Sequence, residues 1–354
     1  MRNESQTLVQ IDGTHGEGGG ALVRTAMVMS ALTQQAVRIH EVRGATKYPG
    51  LDAEDVTLIK ALSHICNAET VGVEMGSEVV SFLPTCWPRG FKGQIISDRN
   101  DSKRGANALV ILSSLLPVLA RSGVYSSLQV EGETFGSNSL SLDYFANVAL
   151  PALKATGLYA FPELIRAGFG RESSGQVSLD VEPSSLNGIN WPDRGALRKV
   201  QAIVTTCSLP VTVAERIGSH LQRMSQNAGI KLQIEHQEVE GENRGVFVTA
   251  WATYERGLGG GTAMGSTSIR AETIAQMAFE ELFEWMSTSS TTDPYLADQI
   301  LLPLVLAESS SVFTVSRLTQ RFLTSVWVVK QFLPIHITVR GVENGPGSVS
   351  ILRG

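Results

Sequence analysis

The stretch NALVILSSLLPVLARSGVYSSLQVEGET, Asn107 to Thr134, runs from an apolar segment of helical length through a short polar turn into an alternating segment. A change from helical to two-residue periodicity predicts a helix followed by a strand. ADQILLPLVLAESSSVFTVSRLT, Ala297 to Thr319, has the same order and shares LLP shortly before a Leu-Ala, and SALTQQAVRIHEVRG, Ser30 to Gly44, is a fainter copy. Three echoes of one helix-to-strand unit predict an α/β (α+β) fold whose core is built from three repeated α/β units.

Nearer the N-terminus, TLVQIDG from Thr7 reads as a strand and ALVRTAMVMSALTQ from Ala21 as a helix, with a glycine-dense turn between them. EDVTLIKALSHICNA gives a second helix, with Val56, Ile59, Leu62 and Ile65 at helical spacing. The block from Leu186 to Ser287 breaks this pattern, reading strand, helix, strand, strand, helix; Val213, Ile217, Leu221 and Met224 share a face of its first helix, which Gly229 stops. Its borders, EPSSLNGINWPDRG and STSSTTDP, are rich in Pro, Gly, Ser and Thr. The expected organisation is therefore a core of residues 1–185 with 288–354, and a small inserted α/β domain at 186–287.

With 43% hydrophobic and 18% charged residues among 354, the chain has enough apolar material for sizeable cores. No apolar run approaches the ~18 residues that span a bilayer. MRNESQTLVQ carries no apolar signal core, and Cys66, Cys86 and Cys207 are odd in number and far apart, so the expected setting is cytoplasmic, with reduced thiols and no membrane partner. A net charge of −5 leaves no global basic field for nucleic acid. Any RNA or phosphate site must gather its arginines locally.

GTHGEGGGALVRT, Gly13 to Thr25, is neither a dinucleotide fingerprint nor a Walker loop, because no Lys-Ser/Thr follows its last glycine. It reads equally as a corner that needs positive φ and as a backbone cradle for an anion. Glu17 stands among residues without side chains, free to reach a metal carried by a nucleotide, while Arg24 lies near the electropositive start of the helix. Elsewhere, EVRGATKYPGLDAED carries Arg43 and Lys47 in a bent loop, DPYLADQILLP puts Tyr295 and Asp298 three apart at a helix start, and SRLTQRFLTSVWVVKQFLP holds Arg317 and Arg321 four apart. Each of these alone is also consistent with a solvated surface. None of the six histidines forms a metal-spaced pair, and His15 is singled out only by its place in the glycine turn.

Taken in order, IDGTHGEGGGALVRTA, RGATKYPGL, SLLPVLA, LPVTVAER, YLADQILLPLVLA and FLTSVWVVKQFLP resemble the RNA 3′-terminal phosphate cyclase family over nearly the whole chain. The resemblance implies three repeated α/β units with a small domain inserted before the last. It also implies a chemistry in which ATP, with Mg2+ or Mn2+, adenylates an enzyme histidine, AMP passes to an RNA 3′-phosphate, and the neighbouring 2′-hydroxyl closes a 2′,3′-cyclic phosphate. By the same resemblance Glu17 binds metal and nucleotide, Arg24 and Arg43 line the phosphate site, Tyr295 packs on adenine, and Asp298 lies close to the metal. The chain departs from the family pattern at Arg321, which falls at the nucleophilic histidine, at Thr46, Tyr48 and Ser113, and in GETFGSNS, which lacks a proline offered to adenine. A guanidinium has no free lone pair for attack on phosphorus, but it grips phosphate with two parallel hydrogen bonds. The favoured expectation is a binder of RNA 3′-phosphate ends or nucleotide without normal cyclase catalysis, with Arg24, Arg43 and Arg321 as the phosphate-holding set. The alternatives are an active cyclase with a relocated nucleophile, His15 being the candidate, and a small-molecule enzyme on a related scaffold.

Overall fold

A computed structural model describes residues 8–98, 104–137, 140–266 and 268–353. The first unit runs β1 (Leu8–Asp12), α1 (Gly20–Thr33), β2 (Ala36–His40), α2 (Ala53–Cys66), β3 (Glu69–Val71) and β4 (Val80–Leu83). Its sheet has the order β1-β2-β4-β3, with β1 parallel to β2 and the other pairs antiparallel. The second unit repeats this with β5 (Lys92–Ile95), α3 (Ala108–Ala120), β6 (Ser126–Gly132), α4 (Leu142–Tyr144), a π-helical turn (Phe145–Ala149), α5 (Leu150–Ala155), β7 (Ala160–Arg166) and β8 (Gly175–Val181). Its order is β5-β6-β8-β7, with the same parallel and antiparallel pairs.

A fourth sheet then intervenes, from β9 (Leu197–Cys207), α6 (Val211–Asn227), β10 (Leu232–Glu238), β11 (Gly245–Tyr254), β12 (Gly257–Met264) and α7 (Ala271–Met286), in the order β10-β9-β11-β12. The third unit closes the chain with α8 (Pro294–Leu306), β13 (Ser311–Val315), α9 (Gln320–Phe332), β14 (His336–Gly341) and β15 (Gly347–Leu352), ordered β13-β15-β14. Where its first strand would lie, a single parallel bridge joins Thr292 to Val315, and another joins Thr292 to Leu258 of β12. The α/β fold expected from the echoes is the fold observed.

One apolar cluster runs beneath the three repeated sheets, through Met27, Leu58, Leu112, Phe145, Leu301 and Phe313, and a second lies under the fourth sheet, where α6 and α7 bring Ile217, Leu221, Ala278 and Trp285. Helix starts follow local chemistry. Asp52 and Asp55 form a reciprocal capping box on α2, and Asn107, Asp293 and Thr319 cap α3, α8 and α9 through their side chains. At Gly19, by contrast, α1 starts with no side-chain cap and no acid in its first turn, leaving its first N–H groups open.

Two local readings are corrected. QAVRIHEVRG continues as a strand in the sequence pattern, but β2 ends at His40 because Glu41 and Arg43 adopt φ of 51° and 54°. GLGGGTAM carries no alternating pattern and yet forms β12. Two of its glycines are demanded by α7: a Cβ on Gly259 would meet the Trp285 ring, and one on Gly261 would stand 2.4 Å from the Ala278 carbonyl oxygen and 2.6 Å from the Leu282 nitrogen. Among the described residues no helix is long and apolar enough to cross a membrane.

Candidate functional site

The glycine turn after β1 places Gly16 and Gly18 at φ of 62° and 58°, which delivers Gly19, Gly20 and Ala21 to one wall of a cavity of about 780 Å3. The helices α1, α3 and α8, each the first helix of its unit, supply Arg24, Ser113 and Asp298 to that cavity, and α9 adds Arg321. The loop after β2 contributes Arg43, Thr46, Lys47 and Tyr48, while the fourth sheet and α7 contribute Thr262, Met264 and Glu281. The uncapped start of α1 thus faces space ringed by arginines, a setting in which backbone N–H groups and guanidiniums meet an anion together.

The cavity arginines are held by carboxylates. Arg24 Nη1 lies 3.3 Å from Glu54 Oε2 and 3.8 Å from Asp55 Oδ1, Arg43 Nη2 lies 2.6 Å from both Asp52 and Asp55, and Arg171 Nη2 lies 3.1 Å from Glu54 Oε1. Asp55 is fully buried, and burial together with the adjacent Asp52 charge raises its carboxyl above the ordinary value against the pull of Arg43. At Asp52 burial also opposes the charge, but the Arg43 guanidinium and the Asp55 N–H outweigh it and hold the carboxyl low.

On the opposite wall, Arg321 Nε approaches Glu17 Oε2 at 3.5 Å, and the Glu17 N–H donates to Thr324 Oγ1 at 3.0 Å. Glu17 Oε2 and Asp298 Oδ1 are both shielded from solvent and accept no hydrogen bond. Burial pushes the Asp298 carboxyl up to about 7, with Arg321 pulling it down and Glu17 pushing it further up. Two such oxygens are the donor type that a hard divalent cation takes beside phosphate oxygens, so the pair fits Mg2+ or Mn2+ in kind. Tyr295 stands edge-on to Tyr144 at 6.5 Å, and burial with the Glu281 carboxylate, to which its hydroxyl donates, holds its proton well above the ordinary range. Asp293 at the head of α8 accepts from the N–H groups of Tyr295, Leu296 and Gly260 and from the Tyr144 hydroxyl, and so fixes this corner.

Glu17, Arg24, Arg43, Tyr295, Asp298 and Arg321 all line this cavity, as do Thr46, Tyr48 and Ser113. His15 does not. Its exposed ring stacks on Trp327 of α9 with 3.7 Å between centroids. Among the described residues that line the cavity there is no histidine. Thr46 spends its hydroxyl on the Arg43 and Tyr48 carbonyls, and Ser113 donates to Gln299 Oε1. Of GETFGSNS, Gly136 and Ser137 reach the cavity, while Asn138 and Ser139 lie outside the described residues.

Sequence reasoning missed Arg171, Glu281 and Gln299. Arg171 follows Gly168 and Gly170 in AGFGRE, a glycine-flanked arginine of the same kind as the one that drew notice near Gly20. Gln299 occupies the place in α8 that Ser113 occupies in α3, 186 residues earlier, so alignment of the LLP echoes would have found it. Glu281 has no such signal, because an acidic residue on an amphipathic helix is ordinary.

Comparison with known proteins agrees over most of the chain. An RNA 3′-terminal phosphate cyclase of Methylococcus capsulatus is 34% identical over 350 residues, covering 98% of this chain and 96% of its own, and one of Thermococcus gammatolerans is 33% identical over 353 residues, covering 98% of each. Among solved structures, the enolpyruvyl transferase NikO of Streptomyces tendae matches at a TM-score of 0.41 and 11% identity, covering 98% of this chain and 48% of its own, which is too slight a likeness to bear on function. Residues 15–339 match the family described as RNA 3'-terminal phosphate cyclase, and the chain belongs to that family.

Proposed function

We propose that this protein holds RNA 3′-phosphate ends, and nucleotide of the ATP type, in the arginine-ringed cavity without passing through a covalent nucleotidyl intermediate. The observation that carries the reading is Arg321, which enters the cavity from the first turn of α9 beside Glu17, with no histidine among the described lining residues. A guanidinium stays protonated at any pH near neutrality and so offers no lone pair to an α-phosphorus. What it does offer is a forked pair of donors to phosphate oxygens. Arg24 and Arg43 would orient the same phosphate from the α1 side, and Tyr295 would give a base a flat surface. Glu17 and Asp298 are the carboxylates that would hold Mg2+ or Mn2+ if Arg321 moved aside, and the ion would then neutralise phosphate charge.

The competing reading, an active cyclase with His15 as nucleophile, gains no support from a ring stacked on Trp327 away from the cavity lining. A cytoplasmic setting agrees with three free cysteines, two of them buried. The test is incubation with α-labelled ATP and Mg2+ or Mn2+, followed by a denaturing gel and analysis of a 3′-phosphate RNA. The expected result is no protein-bound label and no cyclic phosphate end. ATP-dependent conversion of the RNA to its cyclic form would overturn the proposal, and label that survives His15→Ala would exclude His15 as its carrier.

A further inference from the structure

Five carboxylates line the Arg24, Arg43 and Tyr295 sides of the cavity or lie behind them, and each has a cation or several donors: Asp52 and Asp55 meet Arg43, Glu54 meets Arg24 and Arg171, Glu281 accepts from the Tyr295 hydroxyl and the Thr262 N–H, and Asp293 accepts from four groups. Glu17 and Asp298 differ in the cation they face. Each keeps an oxygen out of solvent with no hydrogen-bond donor, as Asp55 Oδ1 also does 3.8 Å from Arg24, but here the cation is Arg321, 3.5 Å from Glu17 Oε2 and pulling the Asp298 carboxyl down. Bare, shielded carboxylate oxygens in pairs are what hard divalent ions bind. A fixed positive charge at the same oxygen repels an incoming divalent ion and satisfies part of the negative charge that would attract it.

We propose that Arg321 is a built-in counter-cation: its guanidinium takes the charge position at Glu17 and Asp298 that a divalent ion would otherwise fill, so the cavity binds a terminal phosphate without metal. This rests on reading the cavity as a phosphate site. A tethered guanidinium carries one charge and cannot be removed by a chelator, and its free donors remain available to phosphate oxygens on its solvent side, where the side chain is 45% exposed. Removal of that charge, with its bulk kept, leaves two unpaired carboxylates and opens a cation site.

The probe is Mn2+ alone, titrated by electron paramagnetic resonance into the full chain as wild type, Arg321→Gln, Arg321→Lys and the double variant Arg321→Gln with Glu17→Gln. Among the described residues the group of three ligand-type side chains within mutual reach is Asp12, His40 and Glu41, away from the cavity lining, so binding common to every variant belongs there. The expected result is one additional Mn2+ in Arg321→Gln, bound at least about tenfold tighter than in wild type or Arg321→Lys, and lost again in the double variant. Equal Mn2+ binding in wild type and Arg321→Gln, or a gain that survives Glu17→Gln, would overturn the proposal. Should Arg321→Gln not fold, Arg321→Met carries the same comparison, and thermal melts establish which variant is used. In a second arm, wild type binds a 3′-phosphate oligoribonucleotide in EDTA within about threefold of its affinity in Mn2+, and a tenfold loss in EDTA would contradict the inference. If the oligonucleotide binds in neither condition, the phosphate-site reading falls, while the Mn2+ titration still decides the role of Arg321.

Discussion

A Cβ built on Gly20 would stand 2.5 Å from Arg24 Nη1 and 2.6 Å from Arg43 Nη2, which places both guanidiniums over one residue at the head of α1. Those two close approaches make Gly20 a gauge of how tightly the arginine pair is packed. Gly20→Ala suits the helix in propensity but pushes both guanidiniums away, and the expected outcome is an about tenfold weaker affinity for a 3′-phosphate oligoribonucleotide with an unchanged thermal midpoint. Unchanged affinity, read by fluorescence anisotropy, would show that Arg24 and Arg43 do not hold the phosphate. At Arg321 the expectation is asymmetric. Arg321→His supplies an imidazole but leaves Thr46 and Ser113 occupied with their own partners, so in-line attack stays poorly oriented, and weak labelling by α-labelled ATP without RNA cyclisation is the expected result. Full cyclase turnover in that variant would mean that the rest of the cavity is already catalytic.

Buried acids tie the elements together. Asp293, 1% exposed, satisfies two N–H groups of α8, one of β12 and the Tyr144 hydroxyl, so Asp293→Ala strands four donors and is expected to cost about 3 to 5 kcal/mol in urea unfolding. Asp143 on α4 accepts from Thr205 Oγ1 of β9 at 2.6 Å, joining the second unit to the fourth sheet. Burial pushes its carboxyl up from 3.8 to about 6, despite that hydrogen bond. The folded state therefore keeps the proton over a window where the unfolded chain has lost it, and the stability so gained is full below about pH 4 and is lost as pH rises through 6. Asp143→Asn keeps an acceptor for Thr205 and removes the buried charge, so its stability relative to wild type should rise between pH 4 and 7 by on the order of 3 kcal/mol. A difference that does not vary with pH would contradict this. The same elements show what sequence can reveal. Helix and strand order in the echoes was legible because LLP and the alternating segments carry their own periodicity, whereas β12 was not, since Gly259 and Gly261 answer to the close approach of α7 and Gly260 to that of β11 rather than to a strand pattern. The bend at Glu41 and Arg43 was equally hidden, because left-handed backbone at two non-glycine residues is imposed by the loop's surroundings.

Across the whole chain, one sheet order occurs in two units and recurs without its first strand in a third, and their first helices α1, α3 and α8 bring side chains to a single cavity that the fourth sheet and α7 help to wall. Asn107 and Asp293 cap equivalent helices, and Ser113 bonds to its counterpart Gln299, so the repetition reaches the cavity itself. This explains how a chain of net charge −5 can present an anion site: the arginines are gathered from separate units and each is already balanced by a carboxylate. Few phosphates can be neutralised there, and the affinity for single-stranded RNA should fall with salt at a log–log slope of only about −1 to −3, against the steep dependence of a broad basic surface. Most direct of all is the equilibrium affinity of the wild-type protein for one oligoribonucleotide ending in a 3′-phosphate and for the same sequence ending in a 3′-hydroxyl, measured at one salt concentration. With Arg24, Arg43 and Arg321 holding the terminal phosphate, the phosphorylated end binds at least about tenfold tighter, and equal affinity for the two ends would show that they do not hold it.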